Sequence, residues 1–268
     1  MLDNSKINHK NKIKYINIKD LNRNYYLIST FILVLYTSSS SVLASENTET
    51  YYERHKANPD FYINEIDAFF TSIVFDDADY VKKAINISGL SPNTRDKYGN
   101  TALIVAIREQ KQKVIDLLLR NSTLDVNLAN ISGETALMMA CYTNQISLVK
   151  LLAEEKHAQI NKDGWSAIHY AAINGYYDIV AYLIAKGAEV DSLSPNETTP
   201  LMLAARNGHI KVVKLLLDNG AELVMTNQQN LSAIDFANNS NQLEIRDGLM
   251  SRWKKIYGEN YKPIKSTH

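Results

Sequence analysis

Residues 196–226 read NETTPLMLAARNGHIKVVKLLLDNGAELVMT, and this stretch decides the fold. Thr199 followed by Pro200 is a helix start. The hydroxyl can accept from an early backbone N–H, and proline at the first helical position gives up a donor that has no partner there. Leu201 and Ala204 then fall on one helical face. Val212 and Leu216 form a second apolar stripe, which is a second helix. Gly220 ends that helix, because a left-handed C-cap is cheap only for glycine.

The pattern recurs on both sides. Hydroxyl residues open it at Thr101, Thr135, Ser166, Thr199 and Ser232, at spacings of 34, 31, 33 and 33. Leu103, Leu137, Ile168, Leu201 and Ile234 follow, then Ala106, Ala140, Ala171, Ala204 and Ala237, small enough to let two helices approach closely. The second stripe is Val114, Leu148, Ile179, Val212 and Ile245, with Leu118, Leu152, Leu183, Leu216 and Leu249 four positions on. A helix pair of this size cannot bury its apolar face alone, so neighbours must stack. Counting back 33 from Thr101 reaches Ala68, from which Val81, Ile85 and Gly89 keep offsets of 13, 17 and 21. That is a degenerate first unit. The last second helix, from Leu243 to Ile256, carries Arg246, Arg252, Lys254 and Lys255 and reads as a solvated C-terminal cap. The 34-residue step has an extra residue near Ser122–Thr123, and the 31-residue step lacks two between Ala153 and Asp163, which shortens the hairpin before Trp165.

The chain resembles the ankyrin-repeat family. Thr199-Pro200-Leu201, Ala204-Ala205, Asn207-Gly208-His209, Val212-Val213, Leu215-Leu216-Leu217 and Asn219-Gly220-Ala221 carry the resemblance, and His169, Gly175 and Gly187-Ala188 extend it. It implies an all-α solenoid of helix-turn-helix units with β-hairpin-like turns, about six units with degenerate end caps. The units fall at 63–96, 97–129, 130–160, 161–193, 194–226 and 227–257, with a frayed tail at 258–268.

Ahead of the array the composition changes. Lys plus Arg and Asp plus Glu both total 29, a net charge of zero that disfavours a basic nucleic-acid binder. Residues 1–44 nevertheless hold six basic and two acidic residues, 6 − 2 = +4, which leaves 23 − 27 = −4 for the rest. Residues 27–43 are uncharged, and the most apolar part, Leu27–Tyr36, is about ten residues long where a bilayer span needs about 20. A basic n-region, a short apolar stretch and Val42-Leu43-Ala44 fit a secretory signal cleaved between Ala44 and Ser45. An uncleaved anchor at 27–43 and a disordered leader are the other readings, and 45–62 is a linker. Export would make the array periplasmic or secreted.

Chemistry is sparse. Cys141 occupies an alanine position and reads as a small core thiol. His169 and His209 fall where the resemblance implies turn-to-turn hydrogen bonding. No phosphate-loop, dinucleotide, zinc-protease or nucleophile-elbow motif is present. No catalytic residue, metal or cofactor is expected. What remains is recognition. The resemblance implies a concave groove lined by hairpin tips and the inner face of each first helix, which selects Tyr98, Arg108, Ile131, Tyr142, Trp165, Ile173 and Arg206 as partner-binding residues. Trp, Tyr and Arg are enriched at interface hot spots. The expectation is a monomeric, exported, non-catalytic protein that binds another protein, with no nucleic acid and with a membrane only through the N-terminal segment. The Asn-, Ile- and Lys-rich composition looks like that of an AT-rich genome, and the chain resembles ankyrin proteins of obligate intracellular bacteria such as rickettsiae. That resemblance implies the alternative, an effector acting on host proteins.

Overall fold

The hydroxyl-capped helix pairs are present and in register. The computed structural model describes residues 65–262; the leader, its cleavage position, the linker and residues 263–268 lie outside the described residues. Among the described residues there are twelve helices, and the only strand pairing is two isolated antiparallel bridges, Arg95–Thr101 and Thr226–Ser232. The helices run as pairs. These are α1 (Glu65–Val74) with α2 (Ala78–Asn86), α3 (Ala102–Arg108) with α4 (Gln112–Leu119), and α5 (Ala136–Tyr142) with α6 (Ile146–Glu154). Then come α7 (Ala167–Ile173) with α8 (Tyr177–Ala185), α9 (Pro200–Arg206) with α10 (Ile210–Asp218), and α11 (Ala233–Asn239) with α12 (Leu243–Tyr257). No helix among the described residues is long and apolar enough to cross a membrane.

The caps explain where the first helices begin. Thr101, Thr135, Thr199 and Ser232 each accept from the backbone N–H three residues on, at 3.3–3.4 Å. Such a bond satisfies one of the donors a helix leaves open at its start. First helices pack on first helices from α1 through α11, and second helices α2, α4, α6, α8 and α10 stack beside them. The repeated Leu/Ile and alanine positions are buried in one core that runs from Phe69 to Leu249.

Neighbouring units are also tied by side chains that bond the next unit's backbone. Asn93, Asn127 and Asp191 accept from the N–H groups of Asp125, Gln159 and Glu222 in the next unit at 2.8–3.0 Å, and Asn161, at the boundary between the third and fourth units, accepts from the Glu189 N–H in the same way at 2.9 Å. On the opposite side of each pair, Gln145 Nε2 donates to the Ile107 carbonyl and His209 Nε2 to the Ile173 carbonyl, both at 3.0 Å.

Two details differ from the sequence reading. The turn inside each pair holds one left-handed residue, at Asp76, Gln110, Asn144, Gly175, Gly208 and Asn241. From the second unit onward this residue stands nine positions after the capping hydroxyl. Asp76 therefore sets the origin of the first unit at Asp67, not Ala68, and Ala84 takes the buried place expected for Ile85. The net two-residue deficit also resolves into two parts. Asn127 precedes Thr135 by eight positions, whereas Asn161, making the same bond, precedes Ser166 by five, so the hairpin itself is three residues short. One residue is regained earlier, since Leu152 to Asn161 is a nine-residue step and Leu183 to Asp191 an eight-residue one.

Candidate protein interface

Four of the hairpins close in one way. Asp96, Asn130, Ser194 and Asn227 each donate their backbone N–H to the carbonyl four residues on, and their side chains accept the N–H returning from that residue. This geometry presents the residues between them. Tyr98 is 40% exposed, with the Lys97 ammonium 5.1 Å from its ring centre. Ile131 is 80% exposed and sits against the preceding hairpin, its Cγ2 only 2.8 Å from where a Cβ on Gly99 would stand. Tyr98 and Ile131 are thus on touching hairpins.

Deeper between hairpins and first helices lies a polar chain. Asn100 Nδ2 donates to Asp96 Oδ2 at 2.9 Å, and Asn130 Nδ2 donates to Asn100 Oδ1 at 2.9 Å and to Glu134 Oε2 at 2.8 Å. The Tyr170 hydroxyl donates to Glu134 Oε1 at 2.8 Å, which joins the third hairpin to the fourth unit. Tyr170 also stands edge-on between two other rings, 6.2 Å from Tyr142 and 6.3 Å from Trp165. Burial, then the Glu134 charge, pushes the Tyr170 phenol up, and burial, then Tyr176 and Glu134, pushes Tyr142 up.

Trp165 does not project from a tip, because its hairpin lacks the residues that would carry it outward. It folds back half-buried, edge-on to the His169 ring at 5.3 Å. His169 itself is buried. Its Nε2 must carry the proton, since it reaches the Thr198 carbonyl at 3.1 Å, and its Nδ1 accepts from the Ser166 N–H at 3.2 Å. Burial holds its pKa down at about 4. His169 and His209 thus both bond a neighbouring unit, as the resemblance implies. Cys141 is buried, and burial pushes its thiol up, away from nucleophilic character.

The structure therefore brings Tyr142 and Trp165 together through Tyr170, and places Tyr98 and Ile131 on touching hairpins. Arg108, Ile173 and Arg206 take the place of Tyr142 in their own units, seven positions after the hydroxyl. Arg108 lies 3.2 Å from Glu109, and Arg206 and Ile173 are half-buried at the ends of α9 and α7. Tyr170 was missed by sequence reasoning. Its signal was present: four positions after the hydroxyl the other units carry Val105, Met139, Leu203 and Phe236, all buried, so a tyrosine there is out of pattern. Among the described residues no group of three or more His, Cys, Asp or Glu side chains is placed to hold a metal ion.

The C-terminal helix is less free than its charge implies. Arg252 donates to the Leu217 carbonyl in the last turn of α10 at 3.1 Å, beside the Gly220 N–H that the same carbonyl accepts, and Arg246 pairs with Asp247 at 2.7 Å. The chain beyond α12 turns back. Tyr261 packs its ring 5.0 Å from Trp253 and donates its hydroxyl to Asp235, so at least this part of the tail is anchored, not frayed.

Stacked helix pairs joined by capped hairpins, with side chains presented along one edge, define a repeat scaffold of the kind that holds other macromolecules. The chain belongs to the ankyrin-repeat family. The family pattern described as "Ankyrin repeats (3 copies)" matches residues 122–194 and 186–257, and "Ankyrin repeat" matches 98–131. The chain is similar to the Notch-regulated ankyrin repeat-containing protein of Xenopus tropicalis, 41% identical over 86 residues, which are 30% of this chain and 75% of that protein. It is similar to the nuclear factor NF-kappa-B p105 subunit of Gallus gallus, 33% identical over 124 residues, 44% of this chain and 13% of that protein. It is also 31% identical over 128 residues to the transient receptor potential cation channel subfamily A member 1 of Homo sapiens, 44% of this chain and 11% of that protein. The chain thus spans only a small part of the two larger relatives. All three are vertebrate proteins.

Proposed function

We propose that this protein is a non-catalytic interaction module that binds one partner protein through the face built by its hairpins and first helices. The observation that carries this reading is the Tyr142–Tyr170–Trp165 ring cluster, joined to Glu134 across two units. Aromatic side chains supply large contact area at little entropic cost, and such residues dominate interface energetics. Export belongs to the same proposal and rests on the leader: cleavage between Ala44 and Ser45, or anchoring by residues 27–43. Origin in an intracellular bacterium, with action on host proteins, rests on composition and on the resemblance alone.

Photo-crosslinking residues placed at Tyr98, Tyr142 or Ile173 should capture the same protein in cells, and one placed at Lys211 on α10 should not. Tyr142→Ala should weaken binding of that protein at least tenfold. Capture from Lys211 alone, or unchanged binding by Tyr142→Ala, sinks the reading. Intact mass of the native protein tests export: a chain starting at Ser45 supports cleavage, and one starting at Met1 in the cytosol refutes both export and anchoring.

A further inference from the structure

Among the described residues Glu134 has no ion-pair partner. Each of its oxygens holds one neutral donor, Tyr170 on Oε1 and Asn130 on Oε2. An ionised carboxylate has about four acceptor sites, so about half remain open. Among the described residues no basic side chain forms an ion pair with Glu134. Arg108 pairs with Glu109 instead. The Lys162 ammonium rests over the backbone of Gly133, 3.5 Å from where a Cβ would stand, and makes no ion pair among the described residues. Asp163, beside it, adds negative charge.

The surroundings of Glu134 are aromatic. Tyr142 and Trp165 flank Tyr170 with their rings turned 83° and 70° from its plane, and both are partly open to solvent. Neither the Tyr142 hydroxyl nor the Trp165 indole N–H has a hydrogen-bond partner among the described residues. Burial, then Glu134, pushes the Tyr170 phenol up, and burial, then Tyr176 and Glu134, pushes the Tyr142 phenol up; among the described residues no basic side chain pairs with Glu134 to offset that charge.

We infer that Glu134, Tyr142, Tyr170 and Trp165 form the receptor for an arginine side chain of the partner protein. The inference rests on the interaction face proposed above. A guanidinium is planar, weakly hydrated and carries its donors as a rigid fork, so it can fill the open carboxylate sites while lying against ring faces. The Tyr142 hydroxyl is an additional acceptor for the same fork. Lysine supplies only a strongly hydrated point charge. An acidic residue is repelled by Glu134, and an apolar one leaves the open sites of Glu134 dry and unpaired, which is costly.

The test uses the full chain with an acetylated, amidated Gly-Gly-Arg-Gly-Gly peptide as probe, beside versions carrying citrulline or lysine in place of arginine. The readout is the indole N–H resonance of Trp165, distinguished from Trp253 by Trp253→Phe. The arginine peptide should shift it saturably. Citrulline, which has the same shape without the charge, should bind at least tenfold more weakly. Glu134→Gln should lose the arginine response to the same degree while keeping an acceptor for Tyr170, and an unchanged thermal melt shows the fold intact. No shift with arginine, or equal shifts with citrulline, overturns the inference. A lysine peptide binding as tightly as arginine overturns the guanidinium assignment. Once the crosslinked partner is in hand, a complex weakened by Tyr142→Ala but not by Glu134→Gln removes the arginine receptor and leaves the interaction face standing. A complex indifferent to both removes both.

Discussion

The fourth and fifth units share a plan and solve one local problem in different ways. In each, the residue that caps the first helix has its own backbone N–H to satisfy. In the fifth unit the Thr199 N–H turns to the Met202 sulfur at 3.5 Å, a weak acceptor, and the hairpin from Ser194 to Thr198 closes on itself. In the fourth, the hairpin is too short to close, and the Ser166 N–H goes to the ring nitrogen of His169. The His169 ring then spends its other nitrogen on the Thr198 carbonyl of the fifth unit. The Ser192 and Ser166 hydroxyls, 3.0 Å apart, extend the same network. Deleting turn residues thus did not break the array. It moved the bonding from within a hairpin to between units, and let Trp165 fall back onto His169. The regular unit is held by propensity and packing; the irregular one adds a buried polar relay.

Matched truncations give the sharpest test of that contrast. Leu201 and Ile168 occupy the same buried position in the two units. Each change to alanine should cost about 2–5 kcal/mol by chemical denaturation. Equal losses would mean that the relay fully replaces the missing hairpin. A markedly smaller loss at Ile168→Ala would mean that the fourth unit is already loosened.

Acid should separate the units next. The folded state keeps His169 neutral, with a pKa near 4 against an ordinary 6.5. Between those values the unfolded chain binds a proton that the folded chain refuses, so stability present above pH 6.5 is lost as pH falls and the loss is complete near pH 4. The difference corresponds to about 3 kcal/mol. Denaturation at pH 7 and pH 4.5 should show most of this loss in the native sequence, and His169→Gln should remove it while leaving the acid response of the carboxylates.

A smaller effect tests the seam between the two units from its other side. Gly175 is left-handed, with φ 73°, and a Cβ there would lie 2.4 Å from His209 Nδ1. Gly175→Ala should cost about 2 kcal/mol from the backbone term and should also displace His209 from the Ile173 carbonyl. Gly187→Ala has open space around it and bears the backbone term only. A thermal melt in which the two substitutions behave alike would show that His209 adjusts freely.

The repeat frame was legible because it rests on local chemistry: hydroxyl caps, alanines at helical spacing, glycines at left-handed turns. Errors arose where the frame depends on partners far along the chain. The origin of the first unit needed Asp76, whose carboxylate accepts from the Val114 N–H at 3.0 Å in the next unit. The short hairpin needed Asn161, whose role is visible only through its bond to Glu189. The candidate interface was half legible. Tyr142 and Trp165 followed from their positions in the repeat, but the ring that joins them, Tyr170, stands at a position whose counterparts Val105, Met139, Leu203 and Phe236 are buried apolar residues.

The sixth unit, the last among the described residues, extends the comparison. Asp235 stands where His169 and Met202 stand, and accepts from the Ser232 N–H at 2.9 Å and the Ser232 hydroxyl at 2.8 Å. His169 reaches forward to the next hairpin, whereas Asp235 receives the hydroxyl of Tyr261 from the segment after α12, its phenol pushed up by burial and by the bond to Asp235. Tyr261 therefore stands to Asp235 as the next hairpin stands to His169. Tyr261→Phe removes a donor to a buried carboxylate and should cost about 1.5 kcal/mol, the smallest effect of the set, since two donors remain on Asp235. Asp235→Asn in the Tyr261→Phe background should then cost less than in the native sequence, because the two residues share one bond. Additive losses in that double-mutant cycle would show that Tyr261 is held by Trp253 and the Ser232 hydroxyl and not by Asp235.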